Sequence, residues 1–316
     1  MTTMTILSSC AGSGRERLGS RIGVENMEAD IHTLCSDRLT AIVSADGAEL
    51  HSLKTAEGLE LVWQAGAQWP RHAPLLFPIV GRLKNDKLMH RGRAYPMKQH
   101  GFARDQRFQW VERGPTSCTL VLTDNAESRS RYPFAFRLTV TFLLASSGLE
   151  VRLEVTNTGD EMLPASIGAH PAFNWPLLGG IEQEAYRLIF SDDEPAPIRR
   201  LRDGLLRMAP EPTPIEGRTL ALSERLFDDD AIILDHPRST SVRYAADRGP
   251  SIELSWDGFR ELGVWSKLGG APFLCIEPWH GTASPSDFDG EFAAKPGLMH
   301  IARGDTRTLR YRIGVR

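Results

Sequence analysis

A glutamate directly follows a short apolar run near the C-terminal end of the chain. Residues 273–276 are continuously apolar, which predicts a strand that is buried on both faces. Glu277 comes next, and Pro278 after it is expected to end the hydrogen-bonded ladder of that strand. Partial burial raises the pKa of a carboxyl group towards neutral pH, which suits a general base. A structural ion pair between Glu277 and a core arginine would give the same pattern.

Two histidines, His100 and His170, lie in or beside apolar segments and next to a glycine or a proline. A single histidine of this kind is more often a satisfied core residue, but together with Glu277 the two indicate a site. They allow two kinds of chemistry: proton transfer between side chains, or a metal site with two histidines and one carboxylate. The chain has no HxH or HxxxH pair, so the spacing does not support the metal site.

Arginines and aromatic residues surround these candidates in the sequence. Arg82 and Arg104 lie on either side of His100. Aromatic residues usually belong to the core, but those beside loops can equally line a pocket and stack on a sugar. The aromatic residues near the candidate site are Trp69, Phe102, Phe173, Trp175, Trp265 and Trp279.

Composition narrows the class of protein. The 316 residues carry a net charge of -3 with acidic and basic residues mixed, so nucleic acid is not expected as a partner. No apolar run approaches the ~18 residues of a membrane span. The four cysteines are scattered without a CxxC pair, which is typical of reduced thiols in a cytoplasmic protein.

The N-terminal 28 residues differ from the rest of the chain. They are rich in Ser, Gly and Arg and lack periodicity, which predicts a disordered extension, with Met27 as a possible alternative start. Residues 7–10 faintly resemble a lipoprotein cleavage site, but no positively charged region precedes them. We therefore expect a single domain over residues 29–316.

Period-two alternation dominates that domain. Residues 136–142 and 149–155 alternate apolar with polar and are separated by Ser146-Ser147-Gly148, which predicts a hairpin with one solvated face. Residues 88–95 predict another hairpin, around Arg91-Gly92. No stretch longer than about ten residues shows helical periodicity. Many short strands separated by turn signals indicate an all-β sandwich or barrel.

Four motifs carry a resemblance to a known family. They are PLLFPIVGRL (74–83), QHGFAR (99–104), GAHPAF (168–173) and APFLCIEPW (271–279). In this order they resemble the bacterial LacX-type branch of the aldose 1-epimerase (galactose mutarotase-like) family, over residues 30 to 315. The resemblance implies a single large twisted β-sandwich, the supersandwich, and interconversion of the α and β anomers of an aldose. It implies no cofactor and no metal.

The resemblance also implies roles for individual residues. Glu277 would be the general base on the C1 hydroxyl, His170 the general acid on the ring oxygen, and His100 a hydrogen-bonding group near that oxygen. The residues expected to contact the sugar are Arg82, Arg104, Asp229 or Asp230, and Trp279.

The sequence departs from the galactose mutarotases in the residues that read sugar hydroxyls. Ala169 stands where they have an asparagine, and Trp265 lies near the place of a missing glutamine. Galactose specificity therefore does not transfer with the catalytic residues. A hexose-6-phosphate 1-epimerase is the alternative enzyme, and Arg71 lies near an arginine position of that branch. A non-catalytic sugar-binding protein of the same fold is the alternative from another class.

Overall fold

The computed structural model describes residues 30–316 and is built almost wholly of β-strands. The predicted extension, residues 1–28, lies outside the described residues. The one α-helix in residues 30–316 is α1 (Ala126–Arg129), a single turn capped by Asn125. Five 3-10 turns occupy Lys84–Asp86, Ala103–Asp105, Gln183–Ala185, Glu224–Phe227 and Phe292–Ala294. No helix in this part of the chain is long and apolar enough to cross a membrane.

The strands are short and almost all antiparallel. In chain order they are β1 (Ile31–Cys35), β2 (Leu39–Ser44), β3 (Glu49–Thr55), β4 (Leu75–Leu76), β5 (Lys87–His90), β6 (Arg93–Pro96), β7 (Gln109–Arg113), β8 (Ser117–Thr123), β9 (Phe136–Ala145), β10 (Gly148–Asn157), β11 (Leu163–Ala165), β12 (Ile167–Ala169), β13 (Ala172–Asn174), β14 (Arg187–Phe190), β15 (Leu201–Arg202), β16 (Leu205–Leu206), β17 (Thr219–Ala221), β18 (Ile232–Asp235), β19 (Ser241–Ala245), β20 (Ile252–Asp257), β21 (Glu261–Trp265), β22 (Phe273–His280), β23 (Met299–Ile301) and β24 (Thr306–Val315).

The larger sheet has nine strands in the order β17-β14-β19-β20-β24-β10-β9-β8-β7. The predicted hairpin forms two neighbouring strands of this sheet, β9 and β10, with Phe142 opposite Val151. Every second side chain of β9 is buried, and its neighbours are more exposed, as the alternation predicts. The hairpin around Arg91 also forms, as β5 and β6.

The smaller sheet has the order β18-β21-β22-β12-β4, and β13 also pairs with β22. It packs face to face on the larger sheet. Leu75 and Ala169 line the same internal gap as Val140 and Leu153, and the rings of Phe77 and Phe136 lie 5.0 Å apart across the interface. The prediction of an all-β sandwich is therefore confirmed.

Strand β22 is longer than predicted. It continues through Pro278 to His280 rather than ending at Glu277. On one side, β12 pairs with Trp279 and His280 while β13 pairs with residues 273–275, which leaves a gap in the ladder between them. Ile276, two residues before Pro278, donates its N–H into this gap, to the Pro171 carbonyl. The N–H that Pro278 lacks would point the same way, so no sheet hydrogen bond is lost.

The two faces of β22 have different surroundings. Leu274 and Ile276 belong to the main core between the sheets. The other face carries Cys275, Glu277 and Trp279, which pack against smaller clusters away from that core. The face of β22 that carries Cys275, Glu277 and Trp279 therefore points away from the main core, and the candidate site lies on that face.

Candidate active site

Six of the eight predicted site residues line one cleft of about 380 Å³ on the outer face of the smaller sheet. They come from sequence positions up to 179 residues apart. Glu277 and Trp279 lie on β22, and His170 directly follows β12, which pairs with β22. These six residues are His100, Arg104, His170, Asp230, Glu277 and Trp279.

Glu277 and His170 form a buried pair at the base of the cleft. Glu277 lies at the centre of β22, and His170 lies on the connection between β12 and β13, opposite the gap in the ladder. His170 Nε2 is 3.1 Å from Glu277 Oε2, and the two side chains are 8% and 1% exposed. The interrupted pairing therefore places a carboxyl group and an imidazole in direct contact.

Burial disfavours the charged form of both partners. It raises the pKa of Glu277 well above its usual value; the Trp279 indole opposes this rise, and the charge of Asp230 adds to it. Burial, with a smaller contribution from the charge of Arg104, lowers the pKa of His170 to about 3. The pair therefore favours a carboxylic acid beside a neutral imidazole. This state carries the same number of protons as a carboxylate beside an imidazolium.

Apart from the contact between Glu277 Oε2 and His170 Nε2, several polar atoms at the base of the cleft have no hydrogen-bonding partner within residues 30–316. They include Glu277 Oε2, His170 Nδ1 and Trp279 Nε1, all buried. Buried polar groups are usually satisfied, because an unmade hydrogen bond costs about 1–3 kcal/mol. This cluster of unsatisfied donors and acceptors is suited to binding a polyhydroxylated ligand.

His100 is held as a neutral hydrogen-bonding group. It adopts a left-handed backbone with φ of 65° and donates its N–H to the Gly81 carbonyl at 2.7 Å. The Gly81 N–H donates in turn to His100 Nδ1 at 3.2 Å, so the ring proton of the neutral form belongs on Nε2. Burial, followed by the charges of His170, Arg104 and Arg71, lowers the pKa of His100 well below its usual value. Its ring centroid lies 5.7 Å from that of His170.

One side of the cleft is cationic. Arg104 donates to the Gln99 carbonyl at 2.9 Å, and Arg71 pairs with Asp105 at 2.7 Å. Burial, together with the charge of Arg71, lowers the pKa of Arg104 to about 10, which still leaves it charged at neutral pH. Both arginines line the cleft.

The other side is apolar and lies over Trp279. A Cβ on Gly263 would come within 2.4 Å of the Trp279 ring, and one on Gly168 within 2.5 Å, so both glycines make room for this side chain. The apolar residues of this side are Val80, Leu201, Ala231, Ile233 and Ala283.

Two predicted substrate contacts lie elsewhere. Arg82 turns away from the cleft to form a two-point ion pair with Asp86, with both bonds at 2.6 Å. Asp229 is 61% exposed at its side chain and pairs with Arg207. Neither residue lines the cleft, so the structure does not support these two assignments.

Asp230, the neighbour of Asp229, faces the cleft. Its backbone is left-handed with φ of 66°, and its carboxylate accepts the Ala231 N–H at 2.8 Å. The buried Arg200 guanidinium donates to the carbonyls of Asp230 and Leu226 and holds this turn in place. Sequence reasoning missed Arg200, because it lies 30 positions before Asp230 in a segment without regular pattern.

Of the six aromatic residues near the site in sequence, three line the cleft and three belong to the core. Trp69 stacks on His170 with centroids 5.0 Å apart, and Trp265 meets the same ring edge-on at 5.8 Å. Both line the cleft, as does Trp279. The remaining three are buried in the main core: Phe102, Phe173 and Trp175.

The metal site considered from the sequence does not form with the expected ligands. Among the described residues, the buried group with suitable spacing joins Glu277 and His170 to Cys275 rather than to His100.

Comparison with known proteins shows which family the chain belongs to. The sequence profile named Aldose 1-epimerase matches residues 30–297. Protein LacX (plasmid) of Lactococcus lactis subsp. lactis is 34% identical over 293 residues, covering 89% of this chain and 98% of that protein.

Solved structures of similar sequence have the same fold. A galactose mutarotase related enzyme from Lactobacillus acidophilus superposes with a TM-score of 0.83 at 33% identity, covering 90% of this chain and 97% of that one. A galactose mutarotase-like protein from Lactobacillus casei gives 0.82 at 30% identity, covering 90% and 100%. The chain belongs to the aldose 1-epimerase family.

Proposed function

We propose that the protein is an aldose 1-epimerase (mutarotase), which interconverts the α and β anomers of an aldose by opening and closing the sugar ring. The observation that carries the proposal is the buried contact of 3.1 Å between His170 Nε2 and Glu277 Oε2. The ring oxygen and the anomeric hydroxyl oxygen of a sugar are bonded to the same carbon. An acid and a base in contact with each other can therefore serve both oxygens at once.

Each half of the reaction moves two protons, one from the sugar to the protein and one from the protein to the sugar. The Glu277 carboxylate accepts the proton of the C1 hydroxyl while the His170 imidazolium donates a proton to the ring oxygen. The bond between C1 and the ring oxygen breaks, and C1 becomes an aldehyde. Rotation about the C1–C2 bond presents the other face of the aldehyde, and the reverse transfers close the ring to the other anomer.

The pKa directions decide which proton tautomer the pair rests in. Ring opening converts the carboxylate and imidazolium into a carboxylic acid and a neutral imidazole, which is the state that burial favours. One proton must therefore pass from Glu277 to His170 before the ring opens, whereas ring closure starts directly from the favoured state. His100 donates a hydrogen bond from Nε2 towards the reacting oxygens, and Asp230 accepts hydrogen bonds from sugar hydroxyls.

A hexose-6-phosphate 1-epimerase is the second candidate. The observation that favours it is the presence of Arg71 and Arg104 on one side of the cleft, where they would meet an anionic substituent. In either case the acid and base act on the same two oxygens.

The test is anomerisation of a panel of pure sugar anomers, with and without a 6-phosphate, followed by polarimetry or NMR. We expect acceleration over the buffer rate by the wild type and not by Glu277→Gln. A phosphorylated sugar that outperforms its free form would select the second candidate. Tight sugar binding without any acceleration over the whole panel would show a non-catalytic binding protein instead.

A further inference from the structure

We propose that the cleft also holds a binding site for a soft divalent cation, best matched by Zn²⁺, with His170, Cys275 and Glu277 as ligands. One potential ligand atom from each residue lies within 4.8 Å of the other two, and all three residues are buried. This site goes beyond the proposed sugar chemistry, which uses proton transfers alone.

The local fold sets the arrangement. Cys275 and Glu277 are two residues apart on β22, so both side chains emerge on its outer face. The gap between β12 and β13 brings His170 against the same face. The 3.1 Å between His170 Nε2 and Glu277 Oε2 is close to the spacing of about 3.3 Å between two ligands of a tetrahedral zinc ion with bonds of about 2.0–2.1 Å.

The chemistry of the donors points to zinc. Thiolate, imidazole and carboxylate are its usual ligands, and three of them leave one of its four tetrahedral positions for a further ligand. A thiolate and a carboxylate supply two negative charges, so the cluster with a dication is neutral overall. In this arrangement His170 would coordinate through Nε2, the ring atom that lies 3.1 Å from Glu277 Oε2.

A second group of potential ligands, Glu49, His51 and His72, is better explained as a structural contact. One oxygen of Glu49 accepts the backbone N–H groups of His72 and Ala73, and the other lies 3.6 Å from His51 Nε2. The two imidazoles stack face to face with centroids 4.3 Å apart. The carboxylate is thus already occupied by protein donors.

A zinc ion on Glu277 and His170 would cover the groups that meet the sugar. We therefore expect reversible inhibition that competes with substrate. This consequence rests on the proposed function, whereas metal binding itself does not.

Titration with Co²⁺, a spectroscopic substitute for Zn²⁺, tests the site without any need for activity. The full-length wild type is expected to show a thiolate-to-cobalt charge-transfer band that one equivalent of Zn²⁺ removes. Cys275→Ser should lose the band and bind Zn²⁺ at least about 10–100-fold more weakly, the loss that even outer-shell changes cause. Cys118→Ala is the matched control, since it removes another buried thiol from the opposite sheet and should keep the band.

A variant that keeps Cys275 alone, with Cys10→Ser, Cys35→Ser and Cys118→Ala, guards against a folding defect in Cys275→Ser. It should retain both the band and inhibition by Zn²⁺. Absence of the band from the wild type, or its loss in this variant, would overturn the proposal. Inhibition that survives Cys275→Ser but disappears in His51→Asn would assign the ion to the other group and would overturn it equally.

Discussion

The two faces of β22 bury their side chains equally well but to different ends. On the inner face, Leu274 and Ile276 pack into the main core, where burial of apolar surface stabilises the fold. On the outer face, Glu277 and Cys275 are just as inaccessible, yet both are ionisable. Burial there shifts pKa values rather than adding stability. On β22, side chains of the inner face therefore stabilise the fold, whereas those of the outer face belong to the candidate site.

The largest expected effect is on the outer face. Glu277→Gln and His170→Asn should each lower kcat by about 10²–10⁴, the usual contribution of a general acid or base. The double variant should lose less than the product of the two, because the residues act as a unit. Sugar binding measured by calorimetry should persist in Glu277→Gln. Fully multiplicative losses would contradict a shared proton-transfer step.

Substitutions on the inner face of β22 should lower the stability of the fold rather than kcat. Ile276→Ala removes a fully buried side chain and should lower the free energy of unfolding by about 2–5 kcal/mol, measured by urea denaturation. Ile276→Val is the milder control at about 0.5–1.5 kcal/mol. The kcat of the folded fraction should stay close to that of the wild type. A loss of kcat as large as that of Glu277→Gln would show that the two faces are not separate.

The pH dependence of stability should carry the signature of Glu277. Burial raises its pKa, so above about pH 4.5 the folded state keeps a proton that the unfolded chain has released. This group therefore makes the free energy of unfolding fall as the pH rises from 4.5 towards the raised pKa. Between pH 5 and pH 8, the free energy of unfolding measured by urea denaturation should decrease less for Glu277→Gln than for the wild type. Glu112→Gln, a change at an exposed residue, is the control and should follow the wild type. A decrease for Glu277→Gln equal to that of the wild type would contradict the pKa shift.

The smallest effects distinguish two arginines. Arg82→Ala should leave kcat and KM within about two-fold of the wild type, because this side chain pairs with Asp86 away from the cleft. Arg104→Ala should raise KM about ten-fold or more, since a hydrogen bond to a charged group contributes about 1.5–3 kcal/mol. Melting temperatures serve as the folding control. A larger effect from Arg82→Ala than from Arg104→Ala would reverse the placement of the two residues.

The sequence predicted local features better than distant ones. The β9–β10 hairpin follows from alternation within one short stretch. Glu277 was found because an isolated carboxylate beside an apolar run is unusual. The end of β22 was misplaced, because the tolerance for Pro278 depends on a gap between two other strands.

Site residues on loops were harder to place. Asp229 and Asp230 are adjacent, and only the left-handed turn at Asp230 decides which of them faces the cleft. Arg82 forms an ion pair with Asp86, four positions later in the chain, and this pairing keeps its side chain away from the site. Arg200 acts on Asp230 from a distant segment, and no local pattern could have indicated it.

The most direct test of the account is exchange between the α and β resonances of a substrate sugar, measured by NMR at equilibrium with equal amounts of wild type and Glu277→Gln. We expect rapid exchange with the wild type and, with the variant, a rate lower by about 10²–10⁴ at undiminished sugar binding. Exchange within about three-fold of the wild type would contradict it and would make Glu277 a structural residue.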